Sequence, residues 1–360
     1  MAGSGTAHLR PADETLLRVE DLVVEFPIGR SGLKVNAVSK VSVDIKAGET
    51  LGIVGESGCG KSTLARAAIQ LPKPTSGTVL FEGTDLTTLK GEALRQVRPR
   101  MQMIFQDPIS SLNPRRKIGD LVREGLEIWK IGDKASRDQK VDEVLDAVGL
   151  DPEAARGRRP HEFSGGQCQR ISIARAVVTD PKVIICDEPV SALDVSVQAQ
   201  IINLLADMKE RYGLTLVFIA HDLAVVKNVS DRVAVMYLGK LCEYGPPDDI
   251  YERPSHPYTG ALLAAIPVPD PNVRPGEREA LHGEIPSPIA PPSGCRFRTR
   301  CPKAQERCAE EEPEVREIAP EHYVACHFPV GVDEELDFAH GAKRAPGAKI
   351  GTPDAAPVTA

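Results

Sequence analysis

Residues Gly55, Glu56, Ser57, Gly58, Cys59, Gly60, Lys61 and Ser62 place two glycines five apart, then a lysine and a hydroxyl. That is the pattern of a phosphate-binding loop. The flanks agree with it. Leu51–Val54 is a short apolar run suited to a buried strand, and Thr63–Gln70 reads as a helix. A strand that feeds a glycine-rich loop and then a helix start points backbone N–H groups and a positive dipole end at an anion. Gly55, Gly58 and Gly60 leave room for phosphates against bare backbone. Lys61 reaches the terminal phosphates, and the Ser62 hydroxyl sits on Mg²⁺, with Thr63 following. A chance glycine-rich turn would not come with both flanks. The stretch predicts a nucleoside-triphosphate site and an α/β core to carry it.

The rest of the composition narrows the surroundings. A length of 360 residues allows two domains, and 41% hydrophobic with 26% charged residues suits a globular chain with a full core. The net charge of −7 gives no global attraction to nucleic acid. The basic clusters Arg95–Arg100, Arg115–Lys117 and Arg156–Arg159 read as solvated faces. No apolar run approaches the roughly 20 residues needed to cross a bilayer, and Met1–Thr15 lacks the apolar core of a signal peptide. A cytosolic chain is expected, its eight cysteines reduced, metal-bound or catalytic rather than paired in disulfides.

Along the chain, Met1–Glu14 is small and polar and reads as loose. Leu16–Phe26 and Val35–Ile45 alternate apolar and polar residues as half-buried strands do. Pro72–Gly77 is a breaker cluster before a short strand at Thr78–Phe81. From about Asp107 to Pro160 the spacing turns helical, in Ile118–Leu126 and Val141–Val148, which predicts an inserted helical subdomain. Val183–Cys186 and Leu216–Ala220 are continuous apolar runs, as in parallel strands covered on both faces. A helix at Val197–Arg211 lies between them, so the alternation is β-α-β. Beyond Tyr251, prolines mark an irregular extension, and Gly331–Ala360, rich in Ala, Gly and Pro, reads as disordered.

Two further stretches carry chemistry. The apolar strand Val183–Cys186 ends in Asp187 and Glu188. In a nucleotide-binding sheet such a strand is expected to run beside the phosphate-loop strand and to deliver one carboxylate to Mg²⁺ and a second to the attacking water. Ser164–Gly165–Gly166–Gln167 opens a helix at Cys168–Val178, with Ser164 near the N-cap. Alone it is a common loop. With the phosphate loop it provides a second anion-binding helix start.

With these residues the chain resembles the ATPase subunit of an ATP-binding-cassette transporter over about Leu17–Tyr251. Phe163–Gln167 (FSGGQ) resembles the family's signature, Gln106 in IFQDP its glutamine loop, Ser191–Asp194 its D-loop and His221 in FIAHD its switch histidine. Phe26 is a looser match to the aromatic that stacks on adenine. The resemblance implies two cassettes closing head to tail on ATP. Lys61, Ser62, Gln106 and Asp187 would bind ATP and Mg²⁺, while Ser164 and Gly166 would reach the partner's γ-phosphate. Glu188 would be the general base and His221 would support the γ-phosphate. Gln106 would couple the site to the helical subdomain that meets the membrane protein. The implied fold is a P-loop ATPase core of mixed sheet with an antiparallel β edge and inserted helices. The implied organisation is a flexible 1–14, a cassette over 15–252 with its helical subdomain near 107–165, an extension over 253–330 and a disordered 331–360. Cys168 stands where the family often has Arg, and it is expected to alter helix packing or a surface contact. For Cys59, alkylation is expected to block the nucleotide by adding bulk beside the phosphates.

The resemblance narrows to the di-/oligopeptide and nickel importer group. GESGCGKST, MQMIFQDPISSLNPR, Arg253–Pro269 and Pro286–Cys295 carry it, and LNPRRKIGD favours the second of its paired ATPase subunits. The implied partners are a second cassette, a paralogue rather than a copy, two integral membrane permease subunits and an extracytoplasmic peptide-binding protein, at the cytoplasmic face of the membrane. The alternatives are a nickel-complex importer and a soluble cassette ATPase uncoupled from transport. Four late cysteines run Cys295-x5-Cys301-x6-Cys308-x17-Cys326. Such thiolates hold an iron–sulfur cluster or zinc, and the resemblance implies a [4Fe–4S] cluster, with Zn²⁺ or free thiols as alternatives. His322 and His327 are second-choice ligands, read as exposed loop residues.

Overall fold

The computed structural model describes residues 5–266 and 284–331. The tail from Gly331 lies outside this range except for its first residue, as does the middle of the proline-rich stretch.

The alternating segments form β1 (Leu17–Pro27) and β2 (Lys34–Ile45), paired antiparallel from Leu17 against Ile45 to Pro27 against Lys34. The β-branched residues of one face, Val19, Val24, Val38, Val41 and Val43 among them, are buried, as a two-residue period demands when one face meets a core. β3 (Thr50–Val54) leaves this sheet for a second one. β4 (Ser76–Phe81) pairs with β1, and β5 (Thr84–Asp85) closes the order β2-β1-β4-β5.

The larger sheet receives β6 (Met101–Ile104), β7 (Val183–Asp187), β8 (Thr215–Ile219), β9 (Arg232–Tyr237), β10 (Lys240–Gly245), β11 (Arg316–Ala319) and β12 (His322–Val324). Its order is β11-β12-β10-β9-β3-β8-β7-β6. β9, β3, β8, β7 and β6 run parallel. Every residue of β3, β7 and β8 is buried, because helices or the smaller sheet cover both faces. One core lies between the two sheets around the helix Lys61–Ala68. The other joins the remaining face to the helices Ile118–Ile128, Lys134–Ala147 and Gly165–Val177.

Several details differ from the sequence expectation. β9 and β10 form a hairpin through Leu238 and Gly239, both at positive φ (44° and 76°), a type I′ turn whose twist matches the strands. The extension also contributes regular structure: a helix at Pro257–Ala264, and β12, which pairs with β10 and lengthens the main sheet. His322 is therefore no exposed loop residue. It opens β12 and is buried, its Nε2 2.7 Å from Oε1 of the buried Glu243. Nor does the described part of Met1–Glu14 stand apart: His8 is buried and Arg10 makes a forked ion pair with Glu49 (2.7 and 3.0 Å).

Candidate active site

The phosphate loop leaves β3 and enters the helix Lys61–Ala68. Its glycines are needed for different reasons. Gly55 (φ 150°) and Gly60 (φ 104°) would each drive a Cβ to within 2.1–2.2 Å of a carbonyl oxygen, of Met236 and Ala37 respectively, while Gly58 (φ 76°) only needs the left-handed conformation. The Lys61 side chain folds back over the loop, donating to the carbonyls of Gly55 (2.7 Å) and Glu56 (3.0 Å). Thr63 is half-buried one residue past Ser62.

β7 does not run beside β3 as the sequence suggests: β8 pairs with both and lies between them, and the end of β7 still reaches the loop. Asp187, 1% exposed, accepts a hydrogen bond from the Ser62 hydroxyl on one oxygen and from Arg66 (2.9 Å) on the other. Glu188 sits at φ 48°, its N–H donating to the Ile219 carbonyl (3.0 Å). That turns the carboxylate off the strand. Gln106 donates its amide to Glu188 Oε2 (2.8 Å), and His221 Nδ1 stands 3.7 Å from the same oxygen. Lys61, Ser62, Asp187, Glu188, Gln106 and His221, read from four separate stretches, thus meet around one loop. Hard oxygens at Ser62 and Asp187 suit Mg²⁺ in donor type.

The remaining sites fall elsewhere. Ser164 caps the helix Gly165–Val177 in a reciprocal box, its Oγ accepting from Gln167 N–H (3.3 Å) while Gln167 Oε1 accepts from Ser164 N–H (3.0 Å). Gly165 packs near Leu193. At Gly166 a Cβ would lie 2.6 Å from Val197, so this glycine has a packing reason as well. Asp194 caps the helix Val195–Tyr212 through Val197 N–H (3.1 Å). Its carboxyl is held below the usual range by the Ser196 hydroxyl and that N–H. Phe26 lies on β1 opposite Val35 and is 41% exposed. Cys168 points inward, buried, toward the Pro160 carbonyl (3.5 Å).

Cys59 does not present its thiol to a ligand. It is buried with Sγ 3.9 Å from Lys61 Nζ, and burial raises its pKa. A neutral, enclosed thiol is a poor nucleophile, so the alkylation expected from sequence meets a barrier of access.

The four late cysteines line one cavity with His256, Phe297, Arg298, Lys303 and Phe328. Burial pushes the thiols up, Cys295 to about 11 and Cys301 and Cys326 to about 12. Thiol donors converging on apolar walls fit an iron–sulfur cluster or zinc in kind. In spacing they do not: among the described residues no group of three or more His, Cys, Asp or Glu stands where it could hold a metal ion. His327 turns its Nε2 to the Glu311 carbonyl (3.1 Å) instead.

A loop, two carboxylates at a strand end and a flanking glutamine and histidine on a mixed sheet define a P-loop ATPase cassette. The comparisons agree. Residues 38–191 match the ABC transporter family and residues 242–308 the oligopeptide/dipeptide transporter C-terminal region. The chain belongs to the ABC transporter ATPases that carry this C-terminal region. It is 53% identical to the oligopeptide transport ATP-binding protein AppF of Bacillus subtilis, over 88% of this chain and 98% of that one. To OppF of Salmonella typhimurium, an oligopeptide transport ATP-binding protein, it is 52% identical over 87% and 96%. Among solved structures, the cassette MJ0796, described as dimeric in a post-hydrolysis state bound to ADP and Pi, superposes with TM-score 0.58 at 28% identity. That match covers 64% of this chain and 98% of the other.

Proposed function

We propose that this chain is the ATP-hydrolysing, energy-coupling subunit of an importer for oligopeptides and dipeptides. The observation that carries the reading is Glu188, held between Gln106 (2.8 Å) and His221 (3.7 Å) at the end of the strand that also delivers Asp187 to Ser62.

Lys61 exchanges the carbonyls of Gly55 and Glu56 for phosphate oxygens when a triphosphate enters. Ser62, Asp187 and the Gln106 amide would hold Mg²⁺, which would offset the negative charge of the phosphates. Glu188 takes the proton of a water as its oxygen attacks the γ-phosphorus and the bond to ADP breaks. Gln106 and His221 keep that carboxylate aimed. Phe26 would stack on the adenine. Gly165 packs near Leu193, while Gly166 and Asp194 both meet Val197; with Ser164 and Gln167 they would serve the nucleotide of a second cassette. The subunit dimerises and works with membrane permeases; a paralogous partner and an extracytoplasmic peptide-binding protein complete the proposed system, with no nucleic acid partner.

Among the described residues no helix is long and apolar enough to cross a membrane. Peripheral attachment at the cytoplasmic face is supported by Phe105 and Ile109, exposed on either side of Gln106. Cys295, Cys301, Cys308 and Cys326 would carry a [4Fe–4S] cluster, or Zn²⁺ in its place, as a staple for the extension. What supports this is their common cavity.

Glu188→Gln tests the reading. Phosphate release falls by about 10²- to 10⁴-fold, the usual range for a general base. ATP binding persists, and an ATP-bound dimer accumulates on size exclusion. Near-normal turnover removes Glu188 as the base.

A further inference from the structure

The phosphate-loop pattern leaves four positions open between its first and second glycines, and Glu56 occupies one of them. Nothing in the chemistry of phosphate binding asks for a carboxylate there. A negative charge beside the triphosphate is unfavourable unless it is compensated. In this protein the compensation comes from the C-terminal extension. Arg300 grips the Glu56 carboxylate with both terminal nitrogens (2.7 and 3.1 Å), a forked pair in which the arginine side chain is only 5% exposed. The backbone N–H of Glu56 donates to the hydroxyl of Tyr258 (2.8 Å), a fully buried residue of the helix Pro257–Ala264.

A third connection reaches the far side of the loop. The Cys59 carbonyl accepts from Gly239 N–H (2.7 Å). The turn that holds Gly239 is fixed by Arg296, which donates to the Leu238 carbonyl and to the Ser39 hydroxyl (2.8 Å). Behind Arg300 stands a wall of rings: Tyr237 against Tyr258 (4.7 Å between centroids), Tyr237 against Phe297 (5.2 Å) and Tyr258 against Phe297 (5.3 Å). Such close aromatic packing fixes the groups mounted on it.

We propose that Arg300 and Tyr258 are positioning residues for the ATP site: the extension braces the phosphate loop from outside and neutralises Glu56, so that the loop meets the triphosphate in its binding shape. Preorganisation of this kind appears in affinity, since the ordering cost is met before the ligand arrives. The inference rests on the reading of the loop as an ATP site, and the experiment separates the two.

MgATP binding is measured by calorimetry, and KM and kcat by phosphate release, on the full chain. Arg300→Ala raises Kd about tenfold, and the change sits in KM rather than kcat. Glu56→Ala with Arg300→Ala binds no worse than Arg300→Ala alone, because the uncompensated charge has gone with its partner. Arg300→Lys keeps the charge without the fork and falls between wild type and Arg300→Ala; it also serves if the alanine variant fails to fold. Tyr258→Phe removes one oxygen and raises Kd about threefold. If Arg300→Ala and Arg300→Lys bind MgATP as wild type does, or if the Glu56 and Arg300 losses simply add, the brace is refuted while the ATP site stands. Wild type that binds no MgATP overturns both.

Discussion

The phosphate site and the cysteine cavity are both built from residues scattered along the chain, yet they are finished to different degrees. Around the loop each polar group already has a partner that a ligand can replace: Lys61 on two carbonyls, Ser62 on Asp187, Gln106 on Glu188. In the extension four thiols face one cavity, three of them raised by burial, and among the described residues no three donors stand at metal-holding spacing. The difference follows from the backbone. Strand ends of a buried parallel sheet deliver side chains to a shared edge at fixed spacing. Cys295 and Cys301 sit on turns, where only a bound group or packing sets the distance. One site is organised before its ligand arrives; the thiols of the other are gathered without being set at ligand spacing.

The largest effect should come from asking whether the cavity has a ligand at all. Protein purified anaerobically should carry about four irons and four sulfides per chain. Cys301→Ser should lose them, with a marked drop in melting temperature, since a group bound only by the folded state stabilises it by mass action. Because thiols raised to about 11–12 must lose protons to bind, loading of apo-protein should improve as pH rises. One zinc and no sulfide would make the staple a zinc site. Neither metal would break the comparison, leaving the cavity a feature of packing.

A smaller effect is expected at the organised site. Asp187→Asn keeps the shape but removes the charge that faces Ser62 and Arg66. kcat/KM for ATP should fall about a hundredfold, ~3 kcal/mol of transition-state stabilisation, with the melting temperature nearly unchanged. A large loss of stability instead would mean that Asp187 is a structural anchor like the buried Asp44, which Arg232 holds, and the contrast between the two regions would shrink.

How much of this could be read beforehand tracks the same contrast. β1, β2, β3, β7 and β8 lie within about one residue of the alternating or continuous apolar runs. The residues that meet around the loop are legible because each belongs to a short sequence motif. β9 and β10 are not, since their turn uses Leu238 at positive φ where Asn or Asp would have signalled a hairpin. β6 is only four residues long. β12 exists through its pairing with β10, a contact some eighty residues away in sequence. Its register is what buries His322, so no local pattern marked that residue as interior. The fork between Glu56 and Arg300 spans a still longer separation and leaves no local trace. Cysteine spacing, likewise, shows that thiols can gather without showing how closely.

The smallest effect separates the two regions by their response to acid. His256 lines the cysteine cavity, caps the helix Pro257–Ala264 by accepting Tyr258 N–H at Nδ1 (3.0 Å), and is depressed by burial to about 3. With Nδ1 an acceptor, the neutral ring carries its proton on Nε2. Above the unfolded value of 6.5 the ring is neutral in both states and costs nothing. As pH falls below that, the unfolded chain takes up a proton that the folded one refuses, so stability is lost progressively toward pH 3. At pH 5 the loss is about 2 kcal/mol. His256→Asn retains a capping side chain and cannot titrate. Its denaturant midpoint should therefore change less between pH 7 and pH 5 than that of wild type. Equal slopes would mean that the ring is solvated in solution, and that the wall between the cavity and the phosphate loop is looser than its packing indicates.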